Sequence, residues 1–335
     1  MSQLCLPVAR CLDADDGSDE YQTRNNHVRQ RQLIGRQFAP RTTGKPECKF
    51  VADGMSIILK GRPTRLKWHR LRRSMRDPEF GTAVMTSGFA LGASTELDHR
   101  VRADGGFVVL HDEALDRETT GAGRVADWRG DALRAITYRQ SGDVLILSET
   151  LEAIMPSAQP DAQMQFDMKD DLDPVGLRGI EHLADHFGRS SCPIIFSGKS
   201  TDLIRALAER LPGVRRGIDP TNRLVAAGLD RGTTAVEATL IAELRDGTEP
   251  DTCYLAWDLL LQCQRRGLDL VALCHAERVR VDAWTCNLSD PAGGFMDAEW
   301  EVFLLLMTLR PDQITTDESR ATEEAWLARA EVKHE

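Results

Sequence analysis

The chain has 335 residues, of which 41% are hydrophobic and 28% charged, with 14 prolines. This composition describes a folded chain with enough apolar content for a large core, and it excludes collagen-like, coiled-coil and wholly disordered classes. A formal net charge of -10 excludes broad, sequence-blind binding to nucleic acid, which needs a basic surface, while leaving room for a local basic pocket that holds a small anion.

The first residues, Met1 to Pro7, lead into acidic sequence rather than a long apolar stretch, so no secretory leader is expected. Residues 1–60 are polar, rich in Arg, Gln, Asp and Asn, and broken by Thr42-Thr43-Gly44-Lys45-Pro46. They show no sustained helical or strand period and read as an N-terminal extension, mobile or acting as a lid. From Gly61 short apolar runs alternate with amphipathic stretches. The strand candidates are Leu66–His69, Thr95–Val101, Met164–Met168, Ile194–Ser197, Val214–Ile218, Cys253–Trp257, Val281–Thr285 and Gln313–Thr315. Helical patterns fit between most of them; Leu203, Ile204, Leu207, Ala208 and Leu211 repeat at three and four residues and stop at Pro212-Gly213.

One further run, Phe107 to Leu110, begins too soon after Val101 for a parallel crossover, which takes a dozen or more residues. It is predicted to form an antiparallel hairpin with Asp104-Gly105 in its turn. Removing it leaves eight parallel strands. The predicted fold is therefore α/β, a (β/α)8 TIM barrel over residues 61–325 with a β-hairpin insertion after strand 2, a polar N-terminal extension and a C-terminal tail at 326–335. The longest apolar run, Val302 to Leu309, is far below the roughly 20 residues that cross a bilayer. The eight cysteines are scattered without a Cys-x-x-Cys pair, so they are expected to be reduced thiols in a cytoplasmic protein. The oligomeric state is not specified by any of these patterns.

Barrel enzymes work at the ends of their strands, which directs attention to polar residues there. The first strand ends at Trp68-His69-Arg70, the second carries Glu96-Leu97-Asp98, the hairpin returns into His111-Asp112, and the third barrel strand reads Phe166-Asp167-Met168-Lys169. Side chains two apart on a strand share a face, so Glu96 pairs with Asp98 and Asp167 with Lys169. Carboxylates converging on one mouth repel unless a cation sits among them, and oxygen donors favour Mg²⁺, Ca²⁺ or Mn²⁺ over zinc. His69 and His111 beside such a cation supply an acid and a base, and Arg70 with Lys169 can hold an anion. Together these groups describe phosphoryl transfer or phosphodiester cleavage.

The ordered set of motifs resembles the glycerophosphodiester phosphodiesterase family across roughly residues 66–320. It comprises His69-Arg70, Pro78-Glu79, Gly92-Ala93 before Glu96-x-Asp98, Asp104-Gly105, and Val108-Val109-Leu110-His111-Asp112. Leu115-x-Arg117-x-Thr119-Thr120-x-Ala122-Gly123 follows, then Ser148-Glu149-Thr150-Leu151-Glu152, Asp167-Met168-Lys169, Trp284-Thr285-Cys286-Asn287 and Ile314-Thr315-Thr316-Asp317. The resemblance implies metal-dependent hydrolysis of a small-molecule glycerophosphodiester to glycerol 3-phosphate and an alcohol, with one divalent cation, Mg²⁺ or Ca²⁺. Matched position by position, it implies Glu96, Asp98 and Asp167 as metal ligands, His69 and His111 as catalytic histidines, Arg70 as the phosphate-binding arginine, and Glu79 and Lys169 as supporting polar groups. Three positions depart from the family pattern: Leu71 replaces a glycine, Phe80 an asparagine, and Asp167 a glutamate. A lysophospholipase D, a sugar-phosphodiester hydrolase, or a noncatalytic phosphoester-binding relative on the same barrel are the alternatives.

Other polar residues read as structural. His99 points to the opposite side of its strand from Asp98. His182 and His186 lie four apart on a helix but lack the glutamate of the metalloprotease motif, so they read as a surface helix face. Trp257 is assigned to the core, and Trp284, near a strand end, to either the core or the wall of a substrate pocket.

Overall fold

The computed structural model describes residues 52–190 and 193–331. Its strands are β1 (Ser56–Leu59), β2 (Arg62–Trp68), β3 (Ser94–Val101), β4 (Phe107–Val109), β5 (Gln163–Met168), β6 (Ile194–Gly198), β7 (Arg215–Ile218), β8 (Thr252–Ala256), β9 (Arg280–Trp284) and β10 (Gln313–Thr316). Strands β2, β3, β5, β6, β7, β8, β9 and β10 pair in parallel in that order, and β10 returns to β2 to close the ring. The expected (β/α)8 barrel is present, with every predicted barrel strand in its place.

The predicted hairpin is present as well. Strand β4 runs antiparallel to the end of β3, with His99 opposite Val109 and Val101 opposite Phe107. Its turn places Gly105 at φ 82°, a conformation open to glycine without steric cost. Both predicted ends of the barrel need correction. Ser56–Leu59 lies inside the expected extension yet pairs antiparallel with β2, because Ile57 is buried in the core. The rest of that extension, residues 1–51, lies outside the described residues. At the other end, residues 326–331 were expected as a tail but complete the helix Ser319–Glu331; Ala325 and Trp326 anchor it in the core.

Alternation along each strand sorts side chains between two environments. Leu97, Met164, Phe166, Ile194 and Phe196 face outward under one set of helices, and Leu66, Leu255, Val281 and Ile314 under another. The helix Thr201–Arg210 shows how such a cover is made: the Ser200 side chain caps it by accepting from Leu203 N at 3.4 Å, and Leu203, Ile204 and Leu207 form its buried stripe.

The barrel interior is polar. Lys67, 1% exposed, reaches from β2 to Asp282 on β9 at 2.9 Å and Glu96 on β3 at 3.2 Å, and it donates to Gln165 on β5. It also lies 4.6 Å from the centre of the Tyr254 ring on β8. Gln313 and Thr315 on β10 donate to the two oxygens of Asp282 at 2.5 and 2.6 Å. Burial alone pushes the Lys67 ammonium down, but Asp282 and Glu96 outweigh it and hold its pKa above the ordinary value. Gly217 on β7 makes room for Tyr254, whose ring would collide with any Cβ there.

Replacing Lys67 with methionine leaves two buried carboxylates without their cation and is expected to destabilise the chain by about 3–5 kcal/mol. Urea denaturation at neutral pH measures it. Combining it with Asp282→Asn is expected to cost less than the sum of the single changes; strict additivity would show that the ion pair does not organise the interior.

Candidate active site

Strand register brings the predicted carboxylates together. Asp98 on β3 sits directly beside Asp167 on β5, and Asp167 beside Ser197 on β6, so these three share one level at the carboxyl end of the barrel. Glu96, two residues earlier on β3, lies one layer deeper. Oxygen atoms of Glu96, Asp98 and Asp167 all fall within 4.8 Å of one another. Asp98 is fully buried, and neither of its oxygens accepts a well-aligned hydrogen bond. Lys169 Nζ stands 2.9 Å from Asp98 Oδ1 and 2.5 Å from Asp167 Oδ2, and Arg70 Nε is 3.5 Å from Asp98 Oδ2. Burial raises both aspartates, but Lys169 more than offsets it and holds each below the usual carboxylate range. An all-oxygen donor set in which Asp98 accepts no well-aligned hydrogen bond fits a hard divalent cation such as Mg²⁺ or Ca²⁺.

The two predicted histidines flank this cluster in the same way. His69 follows β2, and its Nδ1 meets Asp317 Oδ1 at 2.8 Å while Nε2 faces Glu96 Oε1 at 3.9 Å. His111 follows β4, and its Nδ1 meets Asp112 Oδ1 at 2.9 Å. A carboxylate at Nδ1 fixes the ring tautomer and leaves Nε2 as the nitrogen that exchanges protons with anything in the mouth. Each orienting carboxylate is itself held by arginine: Arg72 donates to Asp317 at 2.6 Å, and Arg117 donates to Asp112 at 2.6 and 2.7 Å. Burial lowers the His111 pKa, and Arg70 and Lys169 push it the same way against the pull of Asp98. His111 therefore stands within electrostatic reach of the carboxylate cluster.

Arg70 is presented by a tight turn at the end of β2. Arg70 and Leu71 adopt φ values of 49° and 61°, and Phe80, whose N–H donates to Arg70 O at 3.0 Å, adopts 54°. These are left-handed conformations, where glycine fits freely and asparagine is tolerated. Leu71 and Phe80 thus keep the backbone shape that suits the residues they replace, at a strain of about 1–2 kcal/mol each. Both side chains are fully buried, and that burial offsets the strain. Glu79 ties the turn together by accepting from Arg70 at 3.1 Å and standing 3.3 Å from Arg72.

Trp284 stands half-buried at the end of β9, packed partly against the core. His99 is fully buried, bonds Leu97 O at 2.8 Å and lies 4.3 Å from the Phe166 ring centre; burial takes its pKa down to about 4, in keeping with a structural role. Sequence reasoning gave no role to Lys67, Arg72, Asp112, Arg117, Ser197 or Asp317. For Lys67 a signal existed, since it lies two residues before His69 on one strand face. Asp317 and Asn287 also sat in quoted motifs; Asn287 donates to Asp317 at 2.8 Å and accepts from its N–H at 2.8 Å. Ser197, which donates to Asp167 at 3.1 Å, carried no sequence signal.

No family model matches the sequence, and no curated protein matches it. Solved structures do resemble the fold. A phosphodiesterase from Oleispira antarctica, in complex with the product sn-glycerol-3-phosphate, superposes with a TM-score of 0.57 at 15% identity over 78% of this chain and 95% of that one. A glycerophosphodiester phosphodiesterase from Parabacteroides distasonis gives 0.59 at 15% identity over 80% and 98%. The enzyme of the same description from Agrobacterium tumefaciens gives 0.53 at 19% identity over 78% and 98%. The chain thus has the barrel fold of glycerophosphodiester phosphodiesterases, the family its motifs resemble.

Asp317 supplies a test of the His69 arrangement. Burial raises its carboxyl, but His69 and Arg72 outweigh that and hold it well below the usual range. A depressed carboxylate stabilises the fold above its unfolded pKa of about 3.9, and the contribution fades as pH falls toward the folded value. Asp317→Asn is therefore expected to cost about 1.5–3 kcal/mol at pH 7. The difference from the native chain should shrink below about pH 4, as the carboxylate is protonated. A difference that keeps its full size at lower pH would assign the effect to packing rather than charge.

Proposed function

We propose that this chain is a metal-dependent hydrolase of glycerophosphodiesters, releasing glycerol 3-phosphate and an alcohol. One observation carries the reading: Glu96, Asp98 and Asp167 meet at a single barrel mouth between two histidines, each oriented by its own aspartate. The likeness to solved phosphodiesterases, one of them holding sn-glycerol-3-phosphate, supports the same substrate class. As an intracellular enzyme with reduced cysteines it would act on small phosphodiesters; among the described residues no helix is long and apolar enough to cross a membrane.

In this reading Glu96, Asp98 and Asp167 hold one divalent cation, which when bound neutralises charge on the phosphodiester. Arg70, presented by its left-handed turn, faces a phosphate oxygen, and Glu79 keeps its guanidinium aimed. Lys169, paired with Asp98 and Asp167, would add a second positive charge beside Arg70 for the phosphate. His69 and His111 work through Nε2 from either side: one takes the proton from the attacking oxygen, and the other gives a proton to the departing alcohol. Trp284 walls the alcohol side of the mouth. The attacking oxygen comes from water or from a neighbouring substrate hydroxyl.

Activity is to be measured on glycerophosphocholine and bis-p-nitrophenyl phosphate in parallel. EDTA is expected to abolish turnover and Mg²⁺, Ca²⁺ or Mn²⁺ to restore it; unchanged turnover after exhaustive chelation refutes the metal role. His69→Ala and His111→Ala are each expected to lower kcat about 10²-fold or more. Binding without turnover of either substrate would favour a noncatalytic phosphoester-binding protein.

Asp167 is one methylene shorter than the glutamate of the family pattern, and Lys169 and Ser197 already engage its two oxygens. A weaker hold on the cation follows. Asp167→Glu is expected to tighten Mg²⁺ or Ca²⁺ binding in a calorimetric titration, and a large loss of affinity would show that the mouth has been rebuilt around the shorter acid.

A further inference from the structure

A second cluster of metal-ligating groups lies outside the barrel, on helices that the proposed mechanism does not use. His182 and His186 stand one turn apart on the helix Leu172–Phe187, with ring centres 4.3 Å apart. The neighbouring helix Ser148–Ile154 brings Glu149 to them, so that a ligand atom from each of the three residues lies within 4.8 Å of the others. The pair His182 and His186, which lacks the metalloprotease base, thus gains a third potential ligand from another helix. We propose that Glu149, His182 and His186 form a binding site for a borderline transition-metal cation, typified by Zn²⁺, separate in place and chemistry from the all-oxygen cluster in the barrel.

Two imidazoles and a carboxylate are a donor set that zinc takes readily, with water in the fourth position. Tetrahedral zinc at about 2.0–2.1 Å needs donors about 3.3 Å apart, which small side-chain rotations reach from the present spacing. The surrounding hydrogen bonds engage one nitrogen of each ring. Glu152 Oε2 lies 2.5 Å from His186 Nδ1, so that nitrogen donates and Nε2 carries the lone pair for a metal. The Ser148 hydroxyl lies 2.7 Å from His182 Nε2. Burial and the adjacent His186 take the His182 pKa down to about 4, which keeps the ring neutral at physiological pH. Glu149 is ionised and fixed by Arg102, whose guanidinium reaches its two oxygens at 2.7 and 3.1 Å. Asp104 pairs with the same guanidinium at 3.0 Å, so two carboxylates share one arginine, and Glu152 adds a third acid beside His186.

A cation here would tie the two helices to each other and, through Arg102 and Asp104, to the hairpin turn. The test is a calorimetric Zn²⁺ titration of the full chain carrying Asp98→Asn, with Mg²⁺ in excess to occupy oxygen sites. One equivalent of Zn²⁺ is expected to bind, and Zn²⁺ is expected to raise the Tm. In the same background His186→Ala and Glu149→Gln should each weaken Zn²⁺ at least about 10-fold and abolish the rise in Tm. Co²⁺ in place of Zn²⁺ should give the intense visible bands of a tetrahedral site, lost in the same variants. Truncation of His186 leaves the Ser148 contact of His182 in place, so the test survives if His182→Ala fails to fold. No bound equivalent in the Asp98→Asn chain, or equal affinity after His186→Ala, overturns the site. Neither outcome depends on turnover, so the proposal stands or falls apart from the phosphodiesterase reading.

Discussion

A single buried ammonium organises the inside of this barrel. Lys67 spans from β2 to partners on β3, β5 and β9, so strands far apart in sequence meet at one charge. Few apolar cores have such a demand for direction. Dispersion contacts tolerate small shifts, but a charge removed from water must find its counter-charges at hydrogen-bond distance or the fold loses several kcal/mol. The strand register that satisfies Lys67 and Asp282 is also the one that sets Asp98 beside Asp167 at the mouth. Structure and site are specified by one constraint.

Above that layer the charges continue in pairs. Glu96 belongs to both levels, touching Lys67 below and facing His69 above. Lys169 and Arg70 hold Asp98, Arg72 holds Asp317, and Arg117 holds Asp112. Asp98, Asp167, Asp112 and Asp317 each have a basic neighbour that holds the carboxyl below its ordinary range despite burial. The mouth is consequently preorganised, with its dipoles and charges fixed before any ligand arrives.

Much of this was legible in the sequence, and the reason is the period of two. A barrel strand shows one face to helices and the other to the interior, which made the apolar runs easy to find and placed Glu96 with Asp98 and Asp167 with Lys169. The hairpin was legible from distance along the chain alone, since five residues cannot make a parallel crossover. What escaped were contacts that depend on closure of the ring. Asp317 meets His69 only because the last strand returns beside the first, and the Lys67 to Asp282 pair spans the barrel interior. Short segments at the edges escaped for a different reason: Ser56–Leu59 is too brief to show alternation, and Trp326 is a single apolar anchor in a polar stretch. His182 and His186 were legible as a pair, but Glu149 joins them only through packing of two helices.

Leu71 and Phe80 place the turn that carries Arg70 in an unusual position. Glycine at such a site lets a turn sample many shapes when the chain is loose; leucine and phenylalanine remove that freedom, and their buried side chains pin the turn to the core. A pinned turn does not wrap around what it meets. That part of the rim keeps one shape whether or not anything is in the mouth. Glycine at 71 would relieve the backbone but empty a filled part of the core, so the substitution gains freedom in the turn at the cost of packing.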